Sequence, residues 1–393
     1  MRNIEFFRAL RYNPEKADPS LCAAPPYDVF DYGDETDIKL RSEPVNIVHI
    51  QKPAGGGDEK YSNARKVLDG FLSEGVLIKE NSPGVYIIRQ SWRGGSRTGL
   101  IASVKLDETY KRVRRHEKTK PAPIEDRFKL TEATGLNIGS IFCVFPDPEL
   151  KVSGLIKRSF DKPLYDFEFP SGIRNRVFLS ENCEIPEALE DKTLYIADGH
   201  HRYHTMLKYR EIMRKRRGSS GAYEYTMMYL VPESEAVILP YHRLLKNIDP
   251  GRLSDLPGRL AEDFNIAKQD KVELPPRGSA GFYLDPSYYI ITPKKKINIP
   301  DSIMLHETLI EPFLGIPMES VRKGEFIDFL PGDSDISSLP ETLRRGPWQG
   351  ALLMAAPGFD EIRQAADTGI SLPPKSTYFY PKIPTGIVMR SLL

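Results

Sequence analysis

The chain has 393 residues, of which 40% are hydrophobic and 28% are charged, and its formal net charge at pH 7 is +1. This composition predicts a folded globular protein and excludes an intrinsically disordered chain. A net charge so close to zero gives no overall attraction to nucleic acid, so we expect no nucleic-acid partner. No stretch approaches the ~20 apolar residues of a membrane-spanning helix. No signal peptide is visible either, so we expect a cytoplasmic protein without a membrane partner.

The three cysteines, Cys22, Cys143 and Cys183, are far apart and show no CxxC spacing. Their odd number and their separation predict neither a disulfide framework nor a cysteine-rich zinc site. A reducing compartment fits this pattern and agrees with the expected cytoplasmic location.

The first 110 residues contain short strand and helix patterns. Residues 46–50 predict a short strand. The apolar spacing of residues 61–74 predicts a helix that ends at Gly75. Residues 85–88 and 100–104 predict two strands joined by a turn at residues 93–96.

The remaining residues do not show the regular alternation of strands and helices that βαβ units require. The polar stretch 112–127 predicts a loop, and residues 140–145 and 194–197 predict buried strands. A helix is predicted after residue 202, another near residues 304–313, and a strand at residues 378–380. The pattern predicts mixed β-sheets with helices, in an α+β or α/β fold. We expect one continuous unit over residues 1–393, with approximate sub-regions at 1–110, 111–248 and 249–393.

A strand-to-helix turn at Asp198-Gly199-His200-His201-Arg202 is the most informative segment. Glycine allows a sharp turn or a close approach of the backbone to a ligand. The first N–H groups of a helix lack intrahelical partners and lie at the positive end of its dipole, which favours phosphate. The two histidines and the arginine add donors, whereas Asp198 could cap the helix, hold a metal ion or act as a base. The alternative is a capped helix whose polar side chains face solvent.

A second polar cluster begins at His116-Glu117-Lys118-Thr119 and continues with Glu125-Asp126-Arg127 and Asn137. Histidine, carboxylates and cations in one loop can supply a general base, a metal ligand and phosphate contacts. A solvated charged loop explains the same residues, and the pattern leaves both interpretations open.

Two further segments contain candidate residues. The segment Ala24-Pro25-Pro26-Tyr27-Asp28-Val29 is rigid and carries a phenol and a carboxylate, although it is also typical of a structural turn. Lys375 could contact an anion near the C-terminus. The alternating aromatic residues that follow it indicate a strand that packs into a core.

Several common signatures are absent. Residues 55–60 lack the spacing of a P-loop, and no Gly-x-Gly-x-x-Gly follows a predicted strand. His200 and His204 are four residues apart, but the zinc-protease pattern requires Glu after the first histidine, where this chain has His201. These absences remove the P-loop, dinucleotide-binding and zinc-protease explanations, and they leave the anion site and the capped helix as explanations of the turn.

Four segments together resemble the DUF1015 family of bacteria and archaea, whose function is unknown. They are Ala24 to Val29, His116 to Thr119 with Glu125 to Arg127, Ile196 to Tyr203, and Pro374 to Lys382. The family usually has a basic residue just before the Glu-Asp-Arg group, where this chain has Ile124. The turn itself is also similar to the phosphate-binding motif of the ParB/sulfiredoxin-like superfamily, which includes free-serine kinases.

The second resemblance implies a ParB/sulfiredoxin-like phosphate-binding core elaborated by extra segments. It implies that Gly199, His200, His201 and Arg202 contact nucleotide phosphates. It also implies a metal or catalytic role for Asp198. Glu117 is the candidate for the catalytic glutamate of the serine kinases.

The resulting hypothesis is a Mg²⁺-assisted phosphotransferase that uses ATP or ADP and a small hydroxyl metabolite, with serine or phosphoserine as the most specific substrate. The expected catalytic residues are Asp198, Glu117 and His116, with Asp198 as the Mg²⁺ ligand. The expected phosphate contacts are Gly199, His200, His201, Arg202 and Arg127. The residues expected near the substrate are Tyr27, Asp28, Asp126, Asn137 and Lys375. A nucleotide-binding regulatory switch and a phosphomonoester phosphatase remain as alternatives, and a homo-oligomer remains open.

Overall fold

The computed structural model describes residues 2–117, 119–295 and 299–393. The chain forms two compact units, of which the first contains Met1–Ala236 and Pro381–Leu393 and the second contains Val237–Tyr380. Both units combine β-sheets with helices, so the predicted mixed α+β class is confirmed. Within the described residues, none of the helices combines the length and the hydrophobicity needed to cross a lipid bilayer.

A mixed sheet forms the centre of the first unit. Among the described residues it has nine strands, and eight of them lie side by side in the order Val113–Arg114, Leu194–Asp198, Ile141–Phe145, Tyr225–Pro232, Gly95–Lys105, Val85–Trp92, Arg174–Ser180 and Tyr165–Glu168. The ninth, Ile4–Glu5, also pairs with Gly95–Lys105. Two of the pairings are parallel and the others are antiparallel, which makes the sheet mixed.

The first unit also contains helices and two small strand pairs. The helices are Pro19–Cys22, Glu35–Arg41, Val48–Gln51, Glu59–Ser73, Pro121–Thr134, Lys151–Arg158, Glu184–Leu189 and His200–Arg217, with short 3₁₀ helices at Ala222–Glu224 and Glu233–Glu235. The small pairs join Leu10–Tyr12 to Leu77–Lys79, and Leu136–Asn137 to Arg390–Ser391.

The helix His200–Arg217, called the turn helix below, packs one face into the main core of the first unit. Tyr203, Met206 and Met213 are buried there, as the apolar spacing of the sequence predicts. Each such side chain contributes about 1.5–3 kcal/mol when it is fully buried. This packing fixes the start of the turn helix at the end of strand Leu194–Asp198.

The local predictions for the first unit are partly confirmed. The helix predicted at residues 61–74 is present as Glu59–Ser73, and the strands Val85–Trp92 and Gly95–Lys105 form the predicted pair. The strand predicted at residues 46–50 is wrong, because this segment turns into the helix Val48–Gln51. The Asn46 side chain stabilises the helical start, since its Oδ1 accepts the N–H of Val48 at 2.9 Å.

The loop predicted at residues 112–127 is also wrong in two places, because Val113–Arg114 forms a strand and a helix starts at Pro121. Proline suits the first helical position, where its missing N–H has no partner to lose. The charged residues of this segment face outward or form ion pairs, and Phe128 and Leu130 supply the buried contacts.

The second unit contains a separate antiparallel sheet. Among the described residues its six strands lie in the order Phe264–Gln269, Ser287–Pro293, Ala280–Leu284, Gly350–Met354, Tyr241–Leu245 and Ile327–Pro331. The predicted strand Tyr378–Tyr380 is present and pairs with Val237–Leu239. The helical segments are Pro250–Leu253, Leu256–Leu260, Asp301–Leu305, the π-helix His306–Leu314, Met318–Lys323, the 3₁₀ helix Ile336–Ser338, Leu339–Arg345 and Phe359–Thr368.

Candidate functional site

The turn between strand Leu194–Asp198 and the turn helix depends on Gly199. Its φ of 94° lies in the left-handed region, which side chains other than glycine rarely adopt. A Cβ at this position would also lie 3.0 Å from Nε of Arg202. No side chain caps this helix end, so its first N–H groups remain available to a ligand. Asp198 therefore does not cap the turn helix, in contrast to the alternative interpretation of the sequence.

Asp198 is held between two cations. Nζ of Lys382 donates to its Oδ2 at 2.8 Å, and Nη2 of Arg202 lies 3.6 Å from its Oδ1. Burial alone would raise the pKa of Asp198, but the charges of Lys382 and Arg202 outweigh burial and hold that pKa well below its usual range. The carboxylate therefore stays ionised at neutral pH and is a weak base.

Arg202 folds back over the turn instead of extending into solvent. Its Nη1 donates to the carbonyl oxygen of Ser140, and its side chain is only 12% exposed. Its Nε is buried without a hydrogen-bond partner among the described residues. The guanidinium therefore lies beside the helix start with unused donor capacity.

His116 and His200 form a buried pair at the start of the turn helix. Their rings meet edge to face with centroids 4.9 Å apart. Nδ1 of His200 lies 3.5 Å from Oε2 of Glu117, whose side chain is 47% exposed. Among the described residues, Nδ1 of His116 and Nε2 of His200 are buried without hydrogen-bond partners. Glu117 thus provides a carboxylate at the solvent side of two uncharged imidazoles.

The same segment orients His201. The N–H of Lys120 donates to Nε2 of His201 at 3.0 Å, so this nitrogen is unprotonated. In the neutral ring the proton then lies on Nδ1, which can donate to an anion. Burial lowers the pKa of His201, whereas the nearby charge of Asp28 raises it.

His204 connects the turn helix to the segment that precedes helix Pro121–Thr134, through Arg115 and Thr119. Nη1 of Arg115 lies 3.0 Å from its Nε2, and Oγ1 of Thr119 lies 2.7 Å from its Nδ1. Arginine only donates, so Nε2 accepts and Nδ1 donates to the threonine. Both ring nitrogens are engaged, which disfavours a zinc site made by His200 and His204. Lys118, in the same predicted cluster, lies outside the described residues.

A measurable consequence concerns the stability of the protein in mild acid. Burial lowers the pKa of His116 to about 4, from an ordinary value of 6.5. Because the unfolded chain takes up the proton more readily, this stabilising contribution is present above pH 6.5 and is lost as the pH falls toward 4. We expect a loss of up to about 3 kcal/mol over this range, measured by urea unfolding at several pH values. A His116→Leu variant should lose less, and an identical pH slope in both proteins would contradict the assignment.

Tyr27, Asp28, Asp126 and Arg127 lie together around a cleft of about 400 Å³. The guanidinium of Arg127 lies 4.3 Å from the centroid of the Tyr27 ring and donates to Asp126. Burial raises the pKa of Tyr27, and Asp28 adds to this, whereas the charges of Arg202 and Arg127 oppose it. Tyr27 is therefore within electrostatic range of the turn and of Arg127.

Asp126 is a heavily bonded carboxylate. It accepts from Nζ of Lys60 at 2.6 Å and from the hydroxyl of Tyr61 at 2.8 Å, as well as from Arg127. Burial would raise its pKa, but Arg127 and Lys60 lower it to about 2. These bonds fix the carboxylate of Asp126, which in turn fixes the position of the Arg127 guanidinium.

Asn137 and Lys375 do not line the cleft beside Tyr27. Oδ1 of Asn137 accepts the N–H of Met227 at 3.0 Å, and its Nδ2 lies 3.1 Å from Sδ of Met206. These contacts hold it in the interior, although it also lines a small cavity of about 60 Å³ with Arg202. Lys375 belongs to the second unit, where its Nζ lies 5.2 Å from the centroid of the Tyr241 ring.

The sequence reasoning missed Lys382 and Lys120. Lys382 ends the Pro374 to Lys382 segment that carries the family resemblance, and this position could have drawn attention to it. Lys120 contributes through its backbone N–H, which no residue pattern reveals. Both contact residues of the turn, as described above.

The described residues contain no group of three or more His, Cys, Asp or Glu side chains arranged to hold a metal ion. Asp198, the predicted Mg²⁺ ligand, instead has Lys382 and Arg202 beside its two oxygens. The side chains present therefore do not fit a preformed metal site at the turn.

The chain is distantly similar to several solved structures. A free serine kinase variant in complex with AMP is 11% identical, over 75% of this chain and 91% of that chain, with a TM-score of 0.39. A conserved hypothetical protein from Pyrococcus furiosus is 13% identical, over 75% and 97%, with a TM-score of 0.36. SbnI with a C-terminal truncation, from Staphylococcus aureus, is 12% identical, over 73% and 86%, with a TM-score of 0.37. We draw no conclusion about function from similarities this low.

No curated protein sequence matches the chain. The family described as "Protein of unknown function (DUF1015)" matches residues 4–313, which are most of the length of this chain. The match covers the turn, the loop that contacts it and the cleft beside Tyr27. The predicted family is confirmed, and the chain belongs to the DUF1015 family.

Proposed function

We propose that this protein is a nucleotide-dependent phosphotransferase that transfers a phosphoryl group to the hydroxyl of a small metabolite, with serine as the most specific candidate. The observation that carries this proposal is the uncapped start of the 18-residue turn helix beside Arg202 and Lys382. Backbone donors, a helix dipole and cations at one point suit the phosphates of a nucleotide. In phosphoryl transfer, positioning and charge stabilisation supply most of the catalysis.

In this proposal the nucleotide phosphates lie over Gly199, against the first N–H groups of the turn helix. Nδ1 of His201 donates to a phosphate oxygen, because Lys120 fixes the ring in the required tautomer. Arg202 and Lys382 supply positive charge. Asp198 positions these two cations and takes no proton, because they hold its pKa well below its usual range.

Glu117 is the proposed general base. Its carboxylate is half-exposed and lies beside the buried His200 at the start of the turn helix. The substrate oxygen forms a bond to phosphorus, the bond from phosphorus to the nucleotide oxygen breaks, and the hydroxyl proton moves to Glu117. His116 keeps an uncharged ring against His200 and so limits how deeply water reaches the turn.

Mg²⁺ enters this proposal only with the nucleotide. Magnesium commonly binds through one or two carboxylates together with substrate phosphates. Because Lys382 and Arg202 already neutralise Asp198, we assign no step to a metal ion. Assays with and without Mg²⁺ measure whether the transfer requires it.

The acceptor is proposed to enter through the cleft beside Tyr27. Asp28 is exposed there, and Arg127 is held over the Tyr27 ring by Asp126. The exposed carboxylate of Asp28 can bind the ammonium group of an amino acid. This arrangement favours serine over an uncharged alcohol.

Calorimetry with ATP, ADP and CTP, followed by transfer assays on serine and related alcohols, tests the function. Transfer of phosphate to an alcohol supports the proposal. Binding of a nucleotide without turnover would replace it with a regulatory switch, and release of phosphate from a phosphomonoester alone would replace it with a phosphatase. Absence of nucleotide binding would overturn it.

An Arg202→Ala variant tests the phosphate contact directly. We expect nucleotide affinity to fall at least ~10-fold, because a charge-assisted donor beside the phosphates is lost. The folded state should lose only about 1–2 kcal/mol, from the bond to Ser140. Calorimetry and thermal unfolding measure the two effects. Arg216→Ala is the matched control, because this solvent-facing arginine also lies on the turn helix and pairs with Glu132 of helix Pro121–Thr134; it should change neither. Normal nucleotide binding by a folded Arg202→Ala protein would refute the assignment.

A further inference from the structure

Three buried polar side chains lie in a row across the mixed sheet of the first unit. Asn175 pairs with Gln90, and Gln90 pairs with Arg97, on three neighbouring strands. All three side chains are fully buried. Buried polar groups in proteins are almost always hydrogen-bonded, because an unpaired one is costly. The bonding partners of this row therefore indicate its role.

The hydrogen bonds of the row have a fixed direction, because arginine can only donate. Nη2 of Arg97 donates to Oε1 of Gln90 and, at 2.5 Å, to the carbonyl oxygen of Pro381. Because Oε1 of Gln90 accepts, the amide nitrogen of this residue is the donor. It donates to Oδ1 of Asn175 at 3.0 Å and to the carbonyl oxygen of Lys382 at 3.4 Å. The row therefore holds two consecutive carbonyl groups of the C-terminal segment.

These two carbonyl groups belong to a stretch without regular backbone pairing. Residues 381–384 lie in no helix or strand, and within the described residues none of them forms a backbone-to-backbone hydrogen bond. The next such bonds along the chain join Thr385 to Ala24. The position of the Lys382 backbone therefore depends on side chains, and from this position its Nζ reaches Asp198.

Two aromatic rings contact the guanidinium of Arg97. Its central carbon lies 4.7 Å from the centroid of the Phe142 ring and 5.3 Å from that of the Tyr229 ring. Both distances are within the range of cation–π contacts. The strands of these two aromatic residues lie between the strand of Arg97 and the strand of Asp198. The rings thus fix the position from which Nη2 of Arg97 reaches Pro381.

We propose that Arg97, together with Gln90, is a positioning residue for Lys382 in the phosphotransferase site, a role that rests on the function proposed above. Arg97 acts through the backbone of Pro381 and Lys382, and this backbone places Nζ of Lys382 at 2.8 Å from Oδ2 of Asp198. A buried guanidinium is stable only when it is well bonded, and its charge-assisted bonds are stronger than neutral ones. Loss of these bonds should release the backbone of Lys382 and move its ammonium group away from the turn.

Arg97→Met in the full chain tests the proposal, because methionine fills much of the space and removes every donor. We expect the ammonium group of Lys382 to leave Asp198, so the affinity of Asp198 for a proton should rise at least ~10-fold. Carbon-13 NMR of aspartate-labelled protein follows this ionisation, and Asp198→Asn identifies the signal. This measurement needs no nucleotide and no turnover, so it tests the position of Lys382 separately from the proposed function. Arg97→Lys, which restores the charge and one donor group, should recover part of the effect.

Transfer kinetics provide a second test. Arg97→Met alone should lower transfer at least ~10-fold. In Lys382→Met it should cause no further loss, because the effects of two residues that act through one group are not additive. Arg390→Met is the matched control, since this buried arginine donates to the carbonyl oxygens of Tyr225 at 3.2 Å and Ala222 at 2.9 Å. It should lower stability and change neither the ionisation at the turn nor transfer.

An unchanged proton affinity of Asp198 in a folded Arg97→Met protein would overturn the proposal, and so would a full additional loss of transfer in Lys382→Met. Should Arg97→Met fail to fold, Gln90→Met replaces it, since this change keeps the buried charge and removes the bond to the carbonyl oxygen of Lys382. It should raise the proton affinity of Asp198 several-fold, and an unaltered value would again overturn the proposal. A raised proton affinity in a protein that shows no transfer at all would support the positioning of Lys382 and refute only the proposed function.

Discussion

Replacing Lys382 with methionine should lower phosphoryl transfer by ~10²–10³-fold, the usual loss when one preorganised donor is removed from a developing negative charge. The same change should lower the free energy of unfolding by about 2–3 kcal/mol. Lys382 and Asp198 are 21% and 18% exposed, so the pair is largely shielded from water. Without the lysine, Arg202, at 3.6 Å, is the one ion-pair partner left to the carboxylate among the described residues. Transfer kinetics and urea unfolding measure the two losses.

A double variant separates the two effects. Lys382→Met combined with Asp198→Asn removes both charges, so we expect stability to recover while transfer stays low. Lys192→Met is the matched control, because Lys192 forms a similar partly buried pair with Asp147 outside the proposed site. It should lower stability without changing transfer. Full transfer by Lys382→Met would show that this lysine only stabilises the fold, and the proposed position of the phosphates would be wrong.

The central elements of the first unit could be predicted because their sequence patterns are strong. The run Leu194–Asp198 is almost uniformly buried, and the turn helix has its apolar residues on one face. The errors occur where side-chain contacts outweigh periodicity. The Asn46 side chain accepts the N–H of the first residue of a short helix, and in Pro121–Thr134 a charged sequence forms a helix because it packs against the turn helix.

The site was predictable only where its residues are adjacent in the sequence. Gly199 and the turn helix follow from local chemistry, and His116 and Glu117 were recognised as one cluster. Lys382 is 184 positions from Asp198, and their contact depends on the return of the C-terminal segment to the first unit. No local pattern encodes such a contact.

The contacts of Asp198 also change how the two candidate bases are ranked. The sequence leaves Asp198 and Glu117 as equal candidates. Two cations make Asp198 a poor proton acceptor, whereas Glu117 combines a half-exposed carboxylate with a position beside the start of the turn helix. The proposed proton transfer therefore depends on Glu117.

Replacing Glu117 with glutamine should then reduce the turnover number by ~10²–10⁴-fold, the contribution expected of a general base. Nucleotide affinity should stay within a few-fold of the original, because this carboxylate takes the hydroxyl proton and does not hold the phosphates. Stability should change little, since the side chain is 47% exposed. Steady-state kinetics with the acceptor and calorimetry with the nucleotide give the two values.

Glu132→Gln is the matched control, because Glu132 is similarly exposed, at 40%, and pairs with Arg216 away from the turn. It should leave both values unchanged. A loss of nucleotide affinity in Glu117→Gln as large as the loss of turnover would assign this residue to binding. Turnover equal to that of the unmodified protein would remove Glu117 from the mechanism. Because Asp198 is already engaged by Lys382 and Arg202, the base would then have to come from the cleft beside Tyr27, where Asp28 and Asp31 are exposed carboxylates.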